Sequence, residues 1–374
     1  MATTTLTEPQ EHPVGTRLSL VDTDAHNIRM PGELLDYLPS RWREYYELVG
    51  TRTLGMMGII RNQSGSARAD AWPPNGMLPG EDPEFMRKQL LDTWGIDLAI
   101  LNQSAASIPQ FTGGNQPIEY TAALLGAAND HTEAAWFGSD PRWRGSICVP
   151  WEDGKLAAAE IDKRCTGPHR ERWVQVLLSM GSEQPLGRRK YWDMWEAVSH
   201  HDIPVGFHPG DNGLNPPTGS GWPSFYFENH AGYPQQMLSE LGSLIFEGVF
   251  DRWPNLKLVS VEGGYSWAAP FAWRMDKTWD LLKDEVSHLE RKPSEYIRDH
   301  LWFTSQPFEE PENSAWFAGI YEQLESLGMG EKLMYSSDYP HWDFDSPQTS
   351  LPKSLPERAR RRILADNAIA LYGF

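Results

Sequence analysis

Eight short apolar runs constrain this 374-residue chain more than any other feature. They are LSLVDTD (18–24), IDLAIL (96–101), GSICVP (145–150), WVQVLLS (173–179), IPVGFH (203–208), LKLVSVEG (256–263), LWFTS (301–305) and LMYSSD (333–338). Most carry aliphatic or β-branched residues at both parities. Both faces of such strands are buried, as in parallel sheets covered by helices. Amphipathic stretches alternate with them, at 83–94, 117–136, 156–165, 191–201, 233–253, 266–286, 312–328 and 356–374. This alternation predicts an α/β chain, and eight strands predict a closed (β/α)8 TIM barrel rather than an open doubly wound sheet. No G-x-G-x-x-G follows any run, which weighs against a dinucleotide site.

Two segments, 39–82 and 209–232, are rich in Gly, Pro and aromatics. Both follow predicted strands, so they are expected as long insertions over the C-terminal face of the barrel. Loops of this length are usually functional. Residues 1–17 are polar, without the apolar core of a secretory leader, and read as a flexible N-terminal tail. Residues 18–374 read as a single barrel domain. No run approaches the roughly 20 apolar residues of a membrane span. Cys148 and Cys165 make neither a disulfide framework nor a C-x-x-C motif. A cytoplasmic protein is expected.

Charge excludes some partners. Thirty-three Lys and Arg against 51 Asp and Glu give −18, which repels nucleic acid and anionic membranes. The basic RARRR at 358–362 falls inside a helical pattern and reads as a solvated face. A small-molecule substrate is the expected partner.

In an eight-stranded barrel the chemistry lies at the C-terminal strand ends. The first run closes in Asp22, Asp24 and His26, the second in Asn102 and Gln103, the third in Pro150 and Trp151, and the fourth in Ser179. The fifth closes in His208, the sixth in Glu262, the seventh in Thr304, Ser305 and Gln306, and the eighth in Asp338, with His341 three residues on. Asp24 and His26 are two apart and point the same way from one strand. A barrel converges them with His208 and Asp338. Two neutral imidazoles and two carboxylates suit one divalent ion, with Zn²⁺ expected first and Mn²⁺ or Fe²⁺ as alternatives. A barrel glycosidase needs two carboxyls facing each other across a pocket. Here the strand-end acids other than Glu262 fall together with the histidines, which weighs against it.

The D-x-D-x-H at 22–26, F-H-P at 207–209, V-E-G-G at 261–264 and S-S-D-Y-P-H at 336–341 together resemble the amidohydrolase superfamily. Within it they are similar to the metal-dependent branch related to aminocarboxymuconate-semialdehyde decarboxylase. The resemblance runs from about residue 18 to the C-terminus. It implies that Asp24, His26, His208 and Asp338 are the metal ligands and that Asp338 also shuttles protons. It implies a mononuclear site, since no lysine closes strand four. The strand-six position is often histidine in the family; here it is Glu262, which stands as ligand, base or substrate contact. Asp338, Glu262 and His208 are the candidate catalytic groups.

Two chemistries fit such a site: decarboxylation of a small aromatic or unsaturated carboxylate, and hydrolysis of an amide, lactone or C–C bond. A binding barrel without catalysis is the alternative of another class. Asn27, Trp222, Tyr226, His230, Arg274 and His341 are the candidate substrate contacts, with Phe225, Trp342 and Phe344 as further wall. Arg29 and Arg61 join Arg274 as cations for an anionic substrate. The resemblance also implies a homodimer, for which the aromatic faces near Trp267 and Trp279 are the candidate interface.

Overall fold

The apolar runs fold as eight parallel strands. They are β1 (Val21–Ala25), β2 (Leu98–Leu101), β3 (Trp143–Cys148), β4 (Trp173–Ser179), β5 (Val205–His208), β6 (Leu258–Ser260), β7 (Leu301–Thr304) and β8 (Leu333–Met334). They pair in chain order, β1 to β8, in one sheet. The computed structural model describes residues 19–29, 31–49, 67–104, 116–209, 216 and 218–374. The predicted tail 1–17 and Arg61 lie outside the described residues.

Regular pairing stops early in β8, and the barrel closes through the irregular backbone after it. Thr23 N donates to Tyr335 O at 3.0 Å, Asp338 N to Asp24 O at 3.0 Å, and His26 N to Tyr339 O at 2.7 Å. These bonds seat the end of strand eight directly against the end of strand one.

The double-faced burial expected of the runs is met: every residue of β4 is buried. Helices cover the outer face. Asp153 caps Gly154–Thr166 by accepting from Lys155 N and Leu156 N at 3.0 Å, satisfying donors the helix cannot pair itself. The predicted helix over 233–253 breaks in two, Tyr233–Phe246 and Val249–Arg252, because Gly248 turns the chain at φ +75°. A further helix, Pro293–His300, precedes β7. Its buried residues, Pro293, Tyr296, Ile297 and His300, make one stripe too short to stand out in the sequence.

Both insertions reach the C-terminal mouth. Ile28 N donates to Gly80 O at 2.9 Å. A Cβ on Gly80 would meet His26 O at 2.5 Å, and its φ of +82° suits glycine alone. Trp342 Nε1, after strand eight, donates to Tyr226 OH of the second insertion at 3.2 Å. Trp267 and Trp279 pack half-buried against the chain's own core. Trp267 Nε1 donates to Gly263 O at 2.8 Å. No helix among the described residues is long and apolar enough to cross a membrane.

One buried acid makes the barrel pH-sensitive. Glu240, 6% exposed, accepts from Leu186 N at 2.7 Å and faces Ser182 Oγ at 3.1 Å. Burial pushes its carboxyl from 4.5 up to about 7. A raised carboxyl favours the folded state below pH 4.5, and that contribution is lost as pH rises through about 7. The magnitude is about 3 kcal/mol. Glu240→Gln copies the neutral acid, accepting from Leu186 N and donating to Ser182 Oγ. The variant is expected to melt about 2–4 °C above wild type at pH 8 and level with it near pH 4.5 by calorimetry.

Candidate metal centre

β1 delivers Asp24 and, one residue past its end, His26; both are buried. β5 delivers His208 as its last residue. Glu262 follows β6 by two residues, and Asp338 follows β8 by four. Both of these acids hold left-handed backbone, at φ 52° and 57°. Such conformations cost of order 1–3 kcal/mol outside glycine and collect at functional sites. Neighbours hold them there: Thr304 Oγ1 accepts from Glu262 N at 3.1 Å, and Asp24 O from Asp338 N.

The four strand ends converge. His26 Nε2 lies 3.0 Å from Asp338 Oδ1, 3.3 Å from Asp24 Oδ1 and 3.6 Å from Glu262 Oε1. His208 Nε2 lies 2.6 Å from Glu262 Oε1 and 3.3 Å from His26 Nε2. His341 Nδ1 reaches Asp338 Oδ1 at 2.5 Å.

The orientation of these groups suits a cation. His26 Nδ1 donates to Asn102 O at 2.8 Å and His208 Nδ1 to Pro209 O at 2.7 Å. A backbone acceptor on Nδ1 is the usual outer partner of a metal-ligating histidine, and it turns the Nε2 lone pair inward. Two Nε2 atoms 3.3 Å apart leave no room for a proton on each. Asp24 is fixed by Asn102 Nδ2, which donates to Oδ1 at 2.7 Å, while Asp24 Oδ2 is buried without a hydrogen-bond partner. Glu262 Oε1 is also buried and faces both imidazoles without the alignment of a hydrogen bond.

Electrostatics agree. Burial pushes the Asp24 carboxyl up to about 6, against the pull of His26 and His208. Burial opposes charge on His26, yet Asp24, Asp338 and Glu262 raise it well above the ordinary imidazole value. His208 is raised likewise, Glu262 outweighing burial. Burial would raise Glu262, but His208 and His26 hold it well below the usual carboxylate range. Three carboxylates packed this closely demand positive charge among them. A divalent cation supplies it at two imidazole nitrogens and up to three carboxylate oxygens, a donor set without sulfur.

A model of the amidohydrolase family matches residues 21–374, nearly the whole described barrel.

The chain belongs to the amidohydrolase family.

A gamma-resorcylate decarboxylase of Polaromonas sp. (strain JS666 / ATCC BAA-500) is 24% identical to this amidohydrolase over 308 residues, covering 78% of the chain and 87% of the relative. Among solved structures, an amidohydrolase of Mycobacterium avium subsp. paratuberculosis K-10 matches with a TM-score of 0.72 at 19% identity, over 96% of this chain and 100% of that one. A 5-carboxyvanillate decarboxylase of Sphingomonas paucimobilis matches at 0.67 and 20% identity, over 96% and 100%. A dihydroxybenzoic acid decarboxylase of Polaromonas sp. JS666, with bound manganese and the inhibitor 2-nitroresorcinol, matches at 0.64 and 18% identity, over 96% and 97%. At these identities the structural likeness shows the fold.

The candidate substrate contacts of this amidohydrolase divide. The His341 ring lies 4.6 Å from that of His26, tilted by 38°, with its side chain 29% exposed, so it faces the mouth. His230 Nε2 pairs with Asp343 Oδ2 at 2.9 Å, and Gln306 Nε2 donates to the same oxygen at 2.9 Å. Tyr226 and Trp342 lie beside His230, with ring centroids at 5.8 and 5.9 Å. Asn27 is buried, with its amide 3.4 Å from Thr132 Oγ1 and its Oδ1 unpartnered. Trp222, 36% exposed, and Arg274, exposed on the helix Ala268–Leu282, are not tied to the cluster by any hydrogen bond or ion pair. Arg274 falls on the outer face of its helix, exposed near the helix middle. Arg29 is paired with Glu81. Asp343 was legible only as one of several acids after strand eight. Asn102 was legible as a strand end but not as the partner of Asp24.

Proposed function

We propose that this amidohydrolase is a metal-dependent decarboxylase of a small aromatic carboxylate bearing an adjacent hydroxyl. The observation that carries the reading is the convergence of two overlapping groups at the strand ends, Asp24, His26, His208 and Glu262 on one side and His26, Glu262, Asp338 and His341 on the other, with His341 hydrogen-bonded to Asp338 and open to the mouth. The decarboxylase relatives support the choice of chemistry. Asp24, His26, His208 and Asp338 would hold the ion, with Glu262 as a further ligand or base. We put manganese ahead of the zinc expected from sequence: the donors are imidazole and carboxylate only, and manganese is the ion in the dihydroxybenzoic acid decarboxylase. When bound, the cation supplies a Lewis acid and a template for the carboxylate and hydroxyl oxygens.

The protein's own groups do the proton work. Asp338, in its acid form, delivers a proton to the ring carbon that bears the carboxylate. The C–C bond to the carboxylate breaks, its electron pair returns to the ring, and CO₂ leaves. Asp338 is left as carboxylate and regains its proton through His341 Nδ1, whose ring reaches solvent. Tyr226, His230 and Trp342 wall the aromatic ring. Stacking on such faces contributes about 0.5–1.5 kcal/mol per pair beyond burial.

Glu262 favours a second reading, a hydrolase. A third carboxylate adds negative charge where an anionic substrate must dock, and its Oε1, set between the two imidazoles, suits a base for water. A panel of ortho-hydroxybenzoates, lactones and amides separates the two, assayed with Mn²⁺ and again after chelation. The decarboxylase predicts CO₂ release from an ortho-hydroxybenzoate that chelation abolishes and Mn²⁺ restores. Turnover of a lactone or amide without CO₂ release from any hydroxybenzoate overturns it in favour of the hydrolase.

A further inference from the structure

Below the metal centre, the barrel interior is crossed by polar side chains where branched aliphatic layers are the rule. Asn102, Ser146 and Gln175 come from β2, β3 and β4 or their ends, and none is more than 2% exposed. A buried amide without partners costs about 1–3 kcal/mol, so each polar atom here must be matched. Asn102 Nδ2 donates to Asp24 Oδ1 at 2.7 Å. Asn102 Oδ1 accepts from Ser146 Oγ at 2.5 Å and from Gln175 Nε2 at 2.9 Å. Gln175 Nε2 also donates to Ser146 Oγ at 2.8 Å. Gln175 Oε1 accepts from Tyr372 OH at 2.9 Å.

Tyr372 is the last residue of the helix Asn367–Tyr372. Its neighbours Ala368 and Leu371 pack into a cluster with Val21, Leu98 and Met334. The chain of bonds therefore runs from the C-terminal helix to a metal ligand. Gly206 on β5 makes room for it: a Cβ there would sit 3.1–3.2 Å from all three amide atoms of Gln175.

The polarity of the chain has one solution. A ligating Asp24 is a carboxylate and can only accept, so Asn102 must present its NH₂ to it. Asn102 Oδ1 then faces Gln175 and needs donors, so Gln175 must present Nε2. Gln175 Oε1 is left facing Tyr372, whose hydroxyl must donate. Burial and the Asp24 charge raise the phenol, which keeps that proton in place.

We propose that Tyr372 is a positioning residue for the metal centre: through Gln175 and Asn102 its hydroxyl fixes the orientation of the Asp24 carboxylate, whose Oδ1 lies 3.3 Å from His26 Nε2. The proposal rests on the reading of Asp24 as a metal ligand. It ties the last turn of the chain to the chemistry at the opposite end of the barrel.

Mn²⁺ affinity, measured from the free-ion electron paramagnetic resonance signal, tests it without recourse to turnover. Tyr372→Phe keeps the ring and its stacking on Phe374 and removes only the hydroxyl. It is expected to weaken Mn²⁺ binding by about tenfold, the low end for outer partners of metal ligands, and Asn102→Ala by up to about 100-fold. Adding Tyr372→Phe to Asn102→Ala should change affinity by less than about twofold, since the connection is already cut. If Asn102→Ala does not fold, Gln175→Leu serves as the background with the same expectation. Unchanged affinity in Tyr372→Phe overturns the relay while leaving the metal centre standing. An equal loss in both backgrounds also overturns it, marking Tyr372 as a general support of the fold. A wild type that binds no Mn²⁺ overturns the metal centre, and the relay with it.

Discussion

The His208→Ala variant is expected to fold and to lose its cation. His208 is the imidazole contributed by β5 to the proposed site, and its removal leaves Asp24, Glu262 and Asp338 around His26. Glu262 loses its nearest partner, at 2.6 Å. Loss of a directly coordinating group is expected to exceed the roughly 10–100-fold in affinity that removal of an outer partner costs, at about a thousandfold. The side chain stands at the rim, 19% exposed, so the barrel core beneath it is untouched. Circular dichroism should match wild type, while Mn²⁺ titration should show affinity lower by about three orders of magnitude. An ion held with unchanged affinity would remove His208 from the site.

Asp338→Asn separates ligation from proton transfer. Asparagine adopts left-handed backbone readily, so the φ of 57° and the turn after β8 are preserved. Its amide oxygen can still face His341 and a cation, but the side chain has no transferable proton. Decarboxylation is expected to fall by about 10³-fold in kcat at saturating Mn²⁺, within the usual range for a lost general acid. Cation binding should weaken far less than in His208→Ala. Single-turnover CO₂ release reads the chemical step. A rate within about tenfold of wild type would assign the proton to another group, with Glu262 first in line.

The barrel was legible because parallel strands bury both faces, and runs such as WVQVLLS carry that in their composition. The convergence of Asp24 and His26 on strand one was legible for a related reason: the two share a parity, and their side chains meet at 3.3 Å. Glu262 and Asp338 were legible as strand-end acids, but their left-handed backbone was not, since it depends on partners far along the chain such as Thr304 and Asp24. Alternation can turn Gln175 and Ser146 inward, yet it cannot say that they meet Asn102 and Tyr372, residues up to 270 positions apart. The misplacement of Arg274 has the opposite origin. A cation was sought for an anionic substrate, and the helix that carries it turns it outward.

In the proposed metal centre, Asp24, His26, His208 and Asp338 would enclose one divalent cation. Anomalous scattering from crystals grown with Mn²⁺ tests it most directly, with data collected on either side of the manganese edge. One strong anomalous peak per chain is expected, within about 2.0–2.4 Å of His26 Nε2, His208 Nε2 and carboxylate oxygens of Asp24 and Asp338. A well-ordered barrel with no peak among these residues, or with manganese bound elsewhere, would contradict it.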